Sequence, residues 1–510
     1  MNIAIYSYIV WFIYTYAISI ILSYFLALAM YRIFFDLKPN SFFLRAFKWD
    51  MLANEYFFSL VLVNLFSAVI AFVILWYGYI TSHNNFLWFN IITSYITNTN
   101  LQHFINQQLP YLVQTTGLMY LQFVAPATGL SVAVAIFRSL FYKKFGNFYV
   151  DFLNSVLFLA ATVFVITILY DFFGVAFGFP FSYLQGIKDA PLSIYNTITL
   201  LGNNGGSYIT EGIAEGALMP NSITAFLDII VLNLLPFSLI FLIGKITKNI
   251  KLSISIFLVV LIFYFAFNLI LLENLYPLFN KSMPAALGDY ASLSLFYSSI
   301  ATNTGASVFI LKLLSPIQLA VFIILMQGDA LPGSVGTGFI SLIFIIIITI
   351  FFTALMSGRM PKLFGYKIEH KEIEYAVLGY IFHFALVLTA IPIAIFALRM
   401  FNFSPGYGFT KLLWEIVSAS VNNGSDFYGA TGNINSLNIL TGVLMLLGRY
   451  VPIYFMIKIS DSLASKEISF TKTDLKIDSV YFSLSLVFFI FLLVIISILP
   501  LLALGPLSIG

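Results

Sequence analysis

Ten long apolar stretches run through this chain of 510 residues and constrain its fold more than any other feature. Each has roughly 20 or more mostly apolar residues, the length a helix needs to cross the hydrocarbon core of a bilayer. Only 9% of the residues are charged, compared with about 25% in soluble domains. We therefore predict an all-α membrane protein with ten transmembrane helices. The predicted spans are residues 3–35, 56–80, 112–141, 152–178, 223–244, 252–277, 314–357, 374–400, 437–459 and 479–504.

The loops between these spans carry unequal charge on the two sides of the membrane. If successive loops alternate in side, 18 of the 24 Lys and Arg residues fall on one side and five on the other. Basic loops face the cytoplasm in most membrane proteins. The first span has no basic segment before it and meets its first cation at Arg32, so we expect an anchor rather than a cleaved signal peptide. Both termini are then expected to be extracellular.

The loops also limit the chemistry that the chain can perform. No basic loop exceeds about 25 residues, whereas a nucleotide-hydrolysing domain needs on the order of 100. The sequence contains neither a Walker A motif nor the Asp-Lys-Thr-Gly phosphorylation motif of P-type pumps. With no cysteine the chain has no thiolate metal site, and its four histidines leave little for a zinc cluster. The chain is not expected to be an enzyme by itself, and any coupling to ATP must come from another protein of a complex.

Four short polar clusters recur on the predicted outer side. Each follows an apolar segment of about ten residues that is too short to cross a bilayer, at 87–96, 191–201, 291–301 and 410–420. In each cluster an Asn precedes Thr or Asn and then Gly, with Asn100 in place of the glycine in the first. The clusters are Thr97-Asn98-Thr99-Asn100, Gly202-Asn203-Asn204-Gly205, Thr302-Asn303-Thr304-Gly305 and Val421-Asn422-Asn423-Gly424. Their near-equal spacing indicates four copies of one unit.

The repeated unit has the features of a pore loop. Irregular backbone at membrane depth survives only where it lines a water-filled path or is buried in protein, so we interpret the short segments as re-entrant pore helices. Glycine, and Asn100 in its place, permits the positive φ that turns successive carbonyls toward an axial ion. Rings of neutral oxygens favour a monovalent cation over a divalent one. The alternative is that Asn-Asn-Gly and Asn-Thr-Gly are ordinary outer turns.

At these residues the chain resembles the A subunit of the Kdp potassium-transporting ATPases, within the superfamily of potassium transporters. The resemblance extends over most of the chain and includes motifs beyond the four clusters. These are Gln102 after the first cluster, Gly328-Asp329 followed by Gly333, Val335-Gly336 and Gly338, and the arginine motifs Gly358-Arg359 and Gly448-Arg449. Three filter positions depart from the family pattern, namely Asn203, Ser207 and Asp426, and Leu101 and Asp329 stand where the family usually has Trp and Glu.

The resemblance implies a K⁺-selecting subunit in the cell membrane of a prokaryote, with the four clusters as its selectivity filter. Its implied partners are a P-type ATPase (the B subunit), a single-span protein (the C subunit) and a small protein (the F subunit), and K⁺ is the transported ion. Gln102, Asp329, Gly333, Gly336, Arg359 and Arg449 are the implied gate and pathway residues. No nucleic-acid partner and no other cofactor are expected.

Several of these residues have a second interpretation. Arg449 could repel cations below the filter, with Asp329 as its acidic counterpart, or extend its side chain to the membrane surface. The glycines and proline between 328 and 338 predict a broken helix near the pore, or else a simple loop. Asp426 could be a charge at the outer rim or a helix cap. Gln102 could brace the first cluster or be a polar loop residue.

We expect four pseudo-symmetric repeats around a K⁺ pore, flanked by two extra helices. The expected units are an N-terminal helix with a cytoplasmic loop (1–54), repeats 1 to 4 (55–145, 146–248, 249–371 and 372–476) and a C-terminal helix (477–510). The competing hypotheses are a stand-alone channel or cation symporter of the Trk/Ktr kind, a secondary transporter built from inverted repeats, and an intramembrane enzyme. The last lacks any acid, His or Ser constellation in the sequence.

Overall fold

The computed structural model describes most of the chain. The described residues are 2–36, 50–78, 84–104, 109–176, 190–206, 222–282, 289–306, 311, 314–398 and 406–509. All four Asn clusters fall within these ranges. Ser207, one of the three filter positions that depart from the family pattern, lies outside the described residues.

Fifteen α-helices account for most of the described residues, and ten of them are long and apolar enough to cross a membrane, as the sequence predicts. Helical turns of other types adjoin them at Arg32–Asp36, Val113–Leu118, Ile393–Ala397, Gly429–Gly432 and Pro506–Ser508. The α-helices are α1 (Asn2–Tyr31), α2 (Ala53–Gly78), α3 (Asn85–Ile96), α4 (Met119–Tyr142), α5 (Phe148–Ala176), α6 (Ala190–Leu201), α7 (Ser222–Ile246), α8 (Ile250–Ser282), α9 (Asp289–Ala301), α10 (Pro316–Gly328), α11 (Thr337–Met356), α12 (His370–Pro392), α13 (Tyr407–Ser420), α14 (Asn435–Ala464) and α15 (Val480–Leu504).

Four of the short helices, α3, α6, α9 and α13, are the predicted pore helices, and their bounds agree with the prediction to within three residues. Each follows a long helix, and α3, α6 and α13 also precede one, whereas α9 is followed by the 13-residue α10. Asn84 begins α3, because its side-chain oxygen accepts hydrogen bonds from the Phe86 and Leu87 N–H groups, at 3.1 and 3.2 Å. An N-cap of this kind satisfies backbone donors that have no partner inside the helix.

The long helices differ in how much of their surface other helices cover. In α4 and α7, which follow the first two pore helices, 89% of the span is buried, and in α11 the value is 78%. In α2 and α5, which precede those pore helices, only 28% and 33% are buried. Apolar side chains left exposed on α2, such as Leu62 and Phe66, suit contact with lipid tails. Helices α4, α7 and α11 therefore lie at the centre, and α2 and α5 lie at the rim.

The third repeat contains the predicted broken helix. Helix α10 ends at Gly328, Asp329 takes a left-handed conformation with φ 42°, and α11 begins only at Thr337. The segment between them turns back toward the third cluster, since the Gly333 N–H donates to the Ala301 carbonyl at 3.2 Å. Gly333 lies directly against Gly338, so that a Cβ built at Gly333 would be 2.5 Å from backbone carbons of Gly338. The chain is therefore interrupted here between two separate helices, of which α10, with 13 residues, is shorter than the ten helices long enough to cross a membrane.

The two helices outside the repeats are fastened to them by polar contacts and packing. Helix α1 lies against α7 and α9, where Tyr16 Oη and Ser298 Oγ are 2.7 Å apart and Ser238 Oγ donates to the Ser23 carbonyl. At the far end of α11, strands β1 (Lys362–Leu363) and β2 (Tyr366–Lys367) pair antiparallel. Lys362 also forms an ion pair of 3.0 Å with Asp474, which ties this hairpin to the segment before α15.

The contact between Gly333 and Gly338 should make the break sensitive to a single methyl group. In Gly333→Ala a residue with a side chain must adopt φ 75° and also displace the Gly338 backbone. Positive φ alone costs about 1–3 kcal/mol in a residue other than glycine. We expect Gly333→Ala to lower the midpoint of thermal unfolding of the purified protein by more than this strain accounts for.

Gly358→Ala is the matched control for that measurement. Gly358 has φ 65°, yet a Cβ there would meet nothing within 4 Å. It therefore reports the cost of the backbone conformation alone. Equal losses of stability in the two variants would contradict the proposed importance of the contact between Gly333 and Gly338.

Candidate ion pore at the four Asn turns

The four polar clusters are turns that immediately follow the pore helices, and we call residues 97–100, 202–205, 302–305 and 421–424 the Asn turns. Their Thr and Asn side chains are all at most 2% exposed. In every turn the second residue has positive φ, between 47° and 62°, and so does the fourth, between 56° and 92°. Asn100 takes this conformation in the first turn, where the other three turns have glycine. The expected backbone geometry is therefore present in all four copies.

The N–H groups of each turn are tied back to its own pore helix. In the first turn the Thr99 and Asn100 N–H groups both donate to the Ser94 carbonyl, at 2.9 and 3.2 Å. The equivalent acceptors are the Thr199 carbonyl, the Ser299 carbonyl, and the Ser418 carbonyl and hydroxyl. Because the N–H and C=O groups of a trans peptide point in opposite directions, the carbonyls of these peptides face away from the pore helix.

Side-chain amides join each turn to the next and close a ring. Asn98 Nδ2 donates to the Gly202 and Asn203 carbonyls, both at 3.0 Å. The second residues of the other turns continue the pattern in the same direction around the ring. Asn203 donates to Thr304 Oγ1 at 3.3 Å, Asn303 to the Val421 carbonyl at 3.3 Å, and Asn422 to Thr99 Oγ1 at 2.9 Å. The four turns therefore meet around one axis.

The fourth residue of each turn lies against the neighbouring turn. A Cβ at Gly205 would collide with the Thr304 carbonyl oxygen, and one at Gly424 would collide with that of Thr99. A Cβ at Gly305 would also come too close to the Asn423 carbonyl oxygen. Asn100 differs, because its amide nitrogen donates to the Asn204 and Gly205 carbonyls at 2.6 and 2.9 Å. A side chain that binds the adjacent turn thus explains why the first turn has no glycine.

The ring holds more buried oxygen acceptors than donors to satisfy them. Five carboxamide oxygens in the turns are buried and have no hydrogen-bond partner, those of Asn98, Asn100, Asn203, Asn204 and Asn422. Buried polar atoms normally have a partner. No carboxylate occurs within the four turns, so the excess consists of neutral oxygens. Such a group can replace the hydration shell of a monovalent cation.

Gln122 of α4 braces the first two turns, a role that the sequence analysis missed. Its Oε1 accepts from Asn100 Nδ2 at 3.0 Å and from Asn204 Nδ2, and its Nε2 is 3.4 Å from the Gly205 carbonyl. The sequence signal for this role was the uncharged amide of Gln122 inside an apolar span. Polar side chains within a membrane span are uncommon unless they have a function or a hydrogen-bond partner. Gln102, which could brace the first turn or be a loop residue, is buried and donates to Tyr95 Oη of α3 at 3.1 Å.

Asp329 lies at the broken helix and contacts the third turn from outside the ring. One carboxylate oxygen accepts a hydrogen bond from Asn303 Nδ2, and the other accepts from Ser341 Oγ at 2.8 Å. His383 Nδ1 is 3.9 Å away. The sequence had not singled out His383. Asp329 therefore supports the backbone of the third turn through Asn303.

Arg449 of α14 is 1% exposed, so its side chain does not reach the membrane surface. Its Nη2 donates to the Ala125 carbonyl at 3.0 Å, while Nε and Nη1 have no hydrogen-bond partner. Gly336 of the break lies against the guanidinium group, and a Cβ there would be 2.5 Å from Nη1. Among the described residues, no ion pair within 4.0 Å joins Arg449 to Asp329, the acidic counterpart suggested by the sequence.

The remaining predicted pathway residues divide into two groups. Gly333 and Gly336 lie in the break between α10 and α11, close to Ala301 and Arg449 respectively. Arg359 is exposed beyond the far end of α11, where its N–H donates to the Ala354 carbonyl at 2.8 Å. The structure does not bring Arg359 to the ring.

Asp426 lies two residues after the fourth turn, and its carboxylate binds backbone N–H groups where the chain leads into the helical turn Gly429–Gly432. Its Oδ1 accepts from the Tyr428 and Gly429 N–H groups, both at 2.7 Å. His103 and Glu415, which the sequence had not singled out, lie nearby with Nε2 and Oε1 2.7 Å apart.

The family model described as potassium-transporting ATPase A subunit matches residues 10–509 of this chain. The chain belongs to this family. The curated relatives of this chain include potassium-binding subunits of potassium-transporting ATPases. The one from Alicyclobacillus acidocaldarius is 32% identical, over 83% of this chain and 81% of the relative. The one from Anabaena sp. is 30% identical, over 90% and 88%.

A solved structure shares the fold of this A-subunit family member. The potassium transporter TrkH from Vibrio parahaemolyticus superimposes with a TM-score of 0.54 and covers 78% of this chain and 84% of its own. The identity is 16%, so the likeness concerns the fold alone. It supports the all-α membrane architecture described above.

The brace formed by Gln122 leads to a stability prediction. Gln122→Leu keeps much of the side-chain volume but removes one of the two acceptors of Asn204 Nδ2, whereas Asn100 Nδ2 keeps the Asn204 and Gly205 carbonyls. A buried donor without its partner costs about 1–3 kcal/mol. We expect a lower midpoint of thermal unfolding for this variant of the purified protein. Thr116→Val, at an exposed site just before the same helix, should leave it nearly unchanged, and a similar loss there would count against the brace.

Proposed function

We propose that this chain binds K⁺ at the four Asn turns and passes it onward as the potassium-binding subunit of a high-affinity, ATP-driven uptake complex of the Kdp type. The observation that carries the proposal is the closed ring of turns, with N–H groups bound to the pore helices and five buried carboxamide oxygens without a partner. Under this proposal the filter residues are Thr97 to Asn100, Gly202 to Gly205, Thr302 to Gly305 and Asn422 to Gly424.

The chemistry of the ring favours a monovalent cation. Carbonyl, hydroxyl and carboxamide oxygens compensate for the water that K⁺ loses, without the fixed negative charge that would retain a divalent ion. Ring closure through the second Asn of each turn holds the four loops at one separation. The departure at Asn203 from the family pattern leaves this closure intact, because its amide bonds to Thr304.

Below the ring, we propose that Arg449 and the break between α10 and α11 control the exit of K⁺. The guanidinium lies against Gly336, and two of its nitrogens have no hydrogen-bond partner. An unpaired positive charge next to the path repels a cation. K⁺ would then leave sideways toward a partner protein when the break moves, with Gly333 and Gly336 as the flexible points and Asp329 as the anchor to the third turn.

The partners follow from the family and from the motifs of this chain. The curated relatives are named as potassium-binding subunits of an ATPase, and this sequence has no nucleotide or phosphorylation motif of its own. We infer that ATP hydrolysis belongs to a P-type ATPase, the B subunit, and that the single-span C subunit together with the small F subunit completes the complex. The chain would be multi-pass in a prokaryotic cell membrane, with both termini and the Asn turns outside, as the 18-to-5 distribution of basic residues favours.

The second candidate is a stand-alone K⁺ channel or cation symporter of the Trk/Ktr kind, which the likeness to TrkH favours at the level of fold. The extra helices α1 and α15 favour the first proposal, since four repeats without them would suffice for a channel. K⁺ uptake by potassium-depleted cells that lack other uptake systems separates the two. We expect uptake only when the chain is expressed with its ATPase partners, and none after ATP depletion. Uptake by the chain alone, following the membrane potential, would overturn the pump-subunit proposal.

A glycine substitution tests the filter itself. In Gly424→Ala a methyl group would enter the space of the Thr99 carbonyl oxygen and push two turns apart. We expect the apparent K⁺ affinity in the uptake assay to fall by at least about tenfold, equivalent to about 1.4 kcal/mol. Gly406→Ala is the matched control, because Gly406 also has positive φ, 77°, but a Cβ there would have only an ordinary contact at 3.6 Å. Unchanged affinity in Gly424→Ala, or equal loss in both variants, would refute the filter assignment.

A further inference from the structure

A cluster of three titratable side chains lies beside the ring and takes no part in the proposed function. His103 follows the first turn by three residues, Glu415 is on pore helix α13, and Asp426 follows the fourth turn by two. His103 and Glu415 are completely buried, and Asp426 is half-buried. One ligand atom from each residue lies within 4.8 Å of the others. The cluster therefore joins the first and fourth repeats at a single point.

The imidazole is oriented in the way that metal-binding histidines commonly are. His103 Nδ1 is 2.7 Å from Asn438 Oδ1. The orientation of this amide is set by its other end, because Asn438 Nδ2 donates to Asn433 Oδ1 at 3.0 Å. Nδ1 must therefore carry the proton, and Nε2 is the nitrogen that faces the carboxylates. A histidine that ligates a metal almost always donates its other N–H to such an oxygen.

When both carboxylates are ionised, the cluster carries one more negative charge than its imidazole can neutralise. Glu415 uses one oxygen toward His103 and the other toward the Phe427 N–H, at 3.2 Å. Asp426 uses Oδ1 for two backbone N–H groups, whereas its Oδ2 is buried without a hydrogen-bond partner. A protonated imidazole neutralises only one of two neighbouring carboxylates. A divalent cation with a neutral imidazole neutralises both, and buried charges are stable only when they are paired.

We propose that His103 Nε2 and the carboxylates of Glu415 and Asp426 bind one divalent transition-metal cation, of which Zn²⁺ is the representative probe. Ligand nitrogen and oxygen atoms lie about 2.0–2.2 Å from Zn²⁺, so two ligands of one ion are separated by roughly 3 Å. The cation would take the place of the proton between His103 and Glu415, which are already 2.7 Å apart. Only the side chain of Asp426 needs to move closer.

Direct binding of Zn²⁺ to the purified full-length chain tests this inference. After treatment with a chelator, the chain in detergent is titrated with Zn²⁺ and followed by calorimetry and by metal analysis after dialysis. We expect one high-affinity Zn²⁺ per chain. Asp426→Asn and His103→Gln should each weaken the binding by about 10- to 100-fold or more. Asp426→Asn is the more informative variant, because its remaining oxygen can still accept both backbone hydrogen bonds.

Two controls keep the result interpretable. His370→Gln removes an exposed imidazole that lies 3.6 Å from Glu374, outside the cluster, and should leave Zn²⁺ binding unchanged. Zn²⁺ should also raise the midpoint of thermal unfolding of the unmodified chain but not that of Asp426→Asn. No high-affinity site in the unmodified chain, equal binding by Asp426→Asn, or loss of binding in His370→Gln would each overturn the inference. None of these measurements involves K⁺ transport, so their failure is distinct from failure of the proposed function.

Discussion

The hydrogen bonds from the second Asn of each turn to the next turn are the constraint on which the rest of the structure depends. Without them, four irregular segments would each present backbone and side-chain polar atoms to a membrane interior that has no water to satisfy them. With them, every turn is fixed twice, to its own pore helix through N–H groups and to its neighbour through an amide. These Asn residues also share a positive φ in all four turns.

The surrounding helices serve this ring in different ways. Helices α4, α7 and α11 are mostly buried because they pack close to the turns, and Gln122 of α4 shows that one of them also supplies a polar brace. The break between α10 and α11 brings Gly336 against Arg449 and Asp329 against Asn303. A continuous helix would keep these residues apart. The peripheral helices expose apolar side chains to lipid and separate the polar centre from it.

The charged residues near the ring form hydrogen bonds to side chains and backbone carbonyls that hold the turns and the helices around them in place. Asp329 binds Asn303 and Ser341 of its own repeat, whereas Arg449 in the fourth repeat binds the Ala125 carbonyl of the first. The cluster of His103, Glu415 and Asp426 joins the first and fourth repeats in a similar way. Asp426 is also a departure from the family pattern, and its nearness to a buried His–Glu pair gives this departure a structural context.

The sequence by itself determined the ten spans, the four pore helices, the positions of the Asn turns and the break in the third repeat, because apolar length, glycine and repeat spacing are local properties. It also indicated the family. Only the tertiary structure decided that the turns form a closed ring, that Gln122 and His383 lie beside it, that Arg359 does not, and that Arg449 and Asp329 are not paired. These results depend on which side chains from distant repeats meet, and sequence spacing carries no distance between residues as far apart as Thr99 and Asn422.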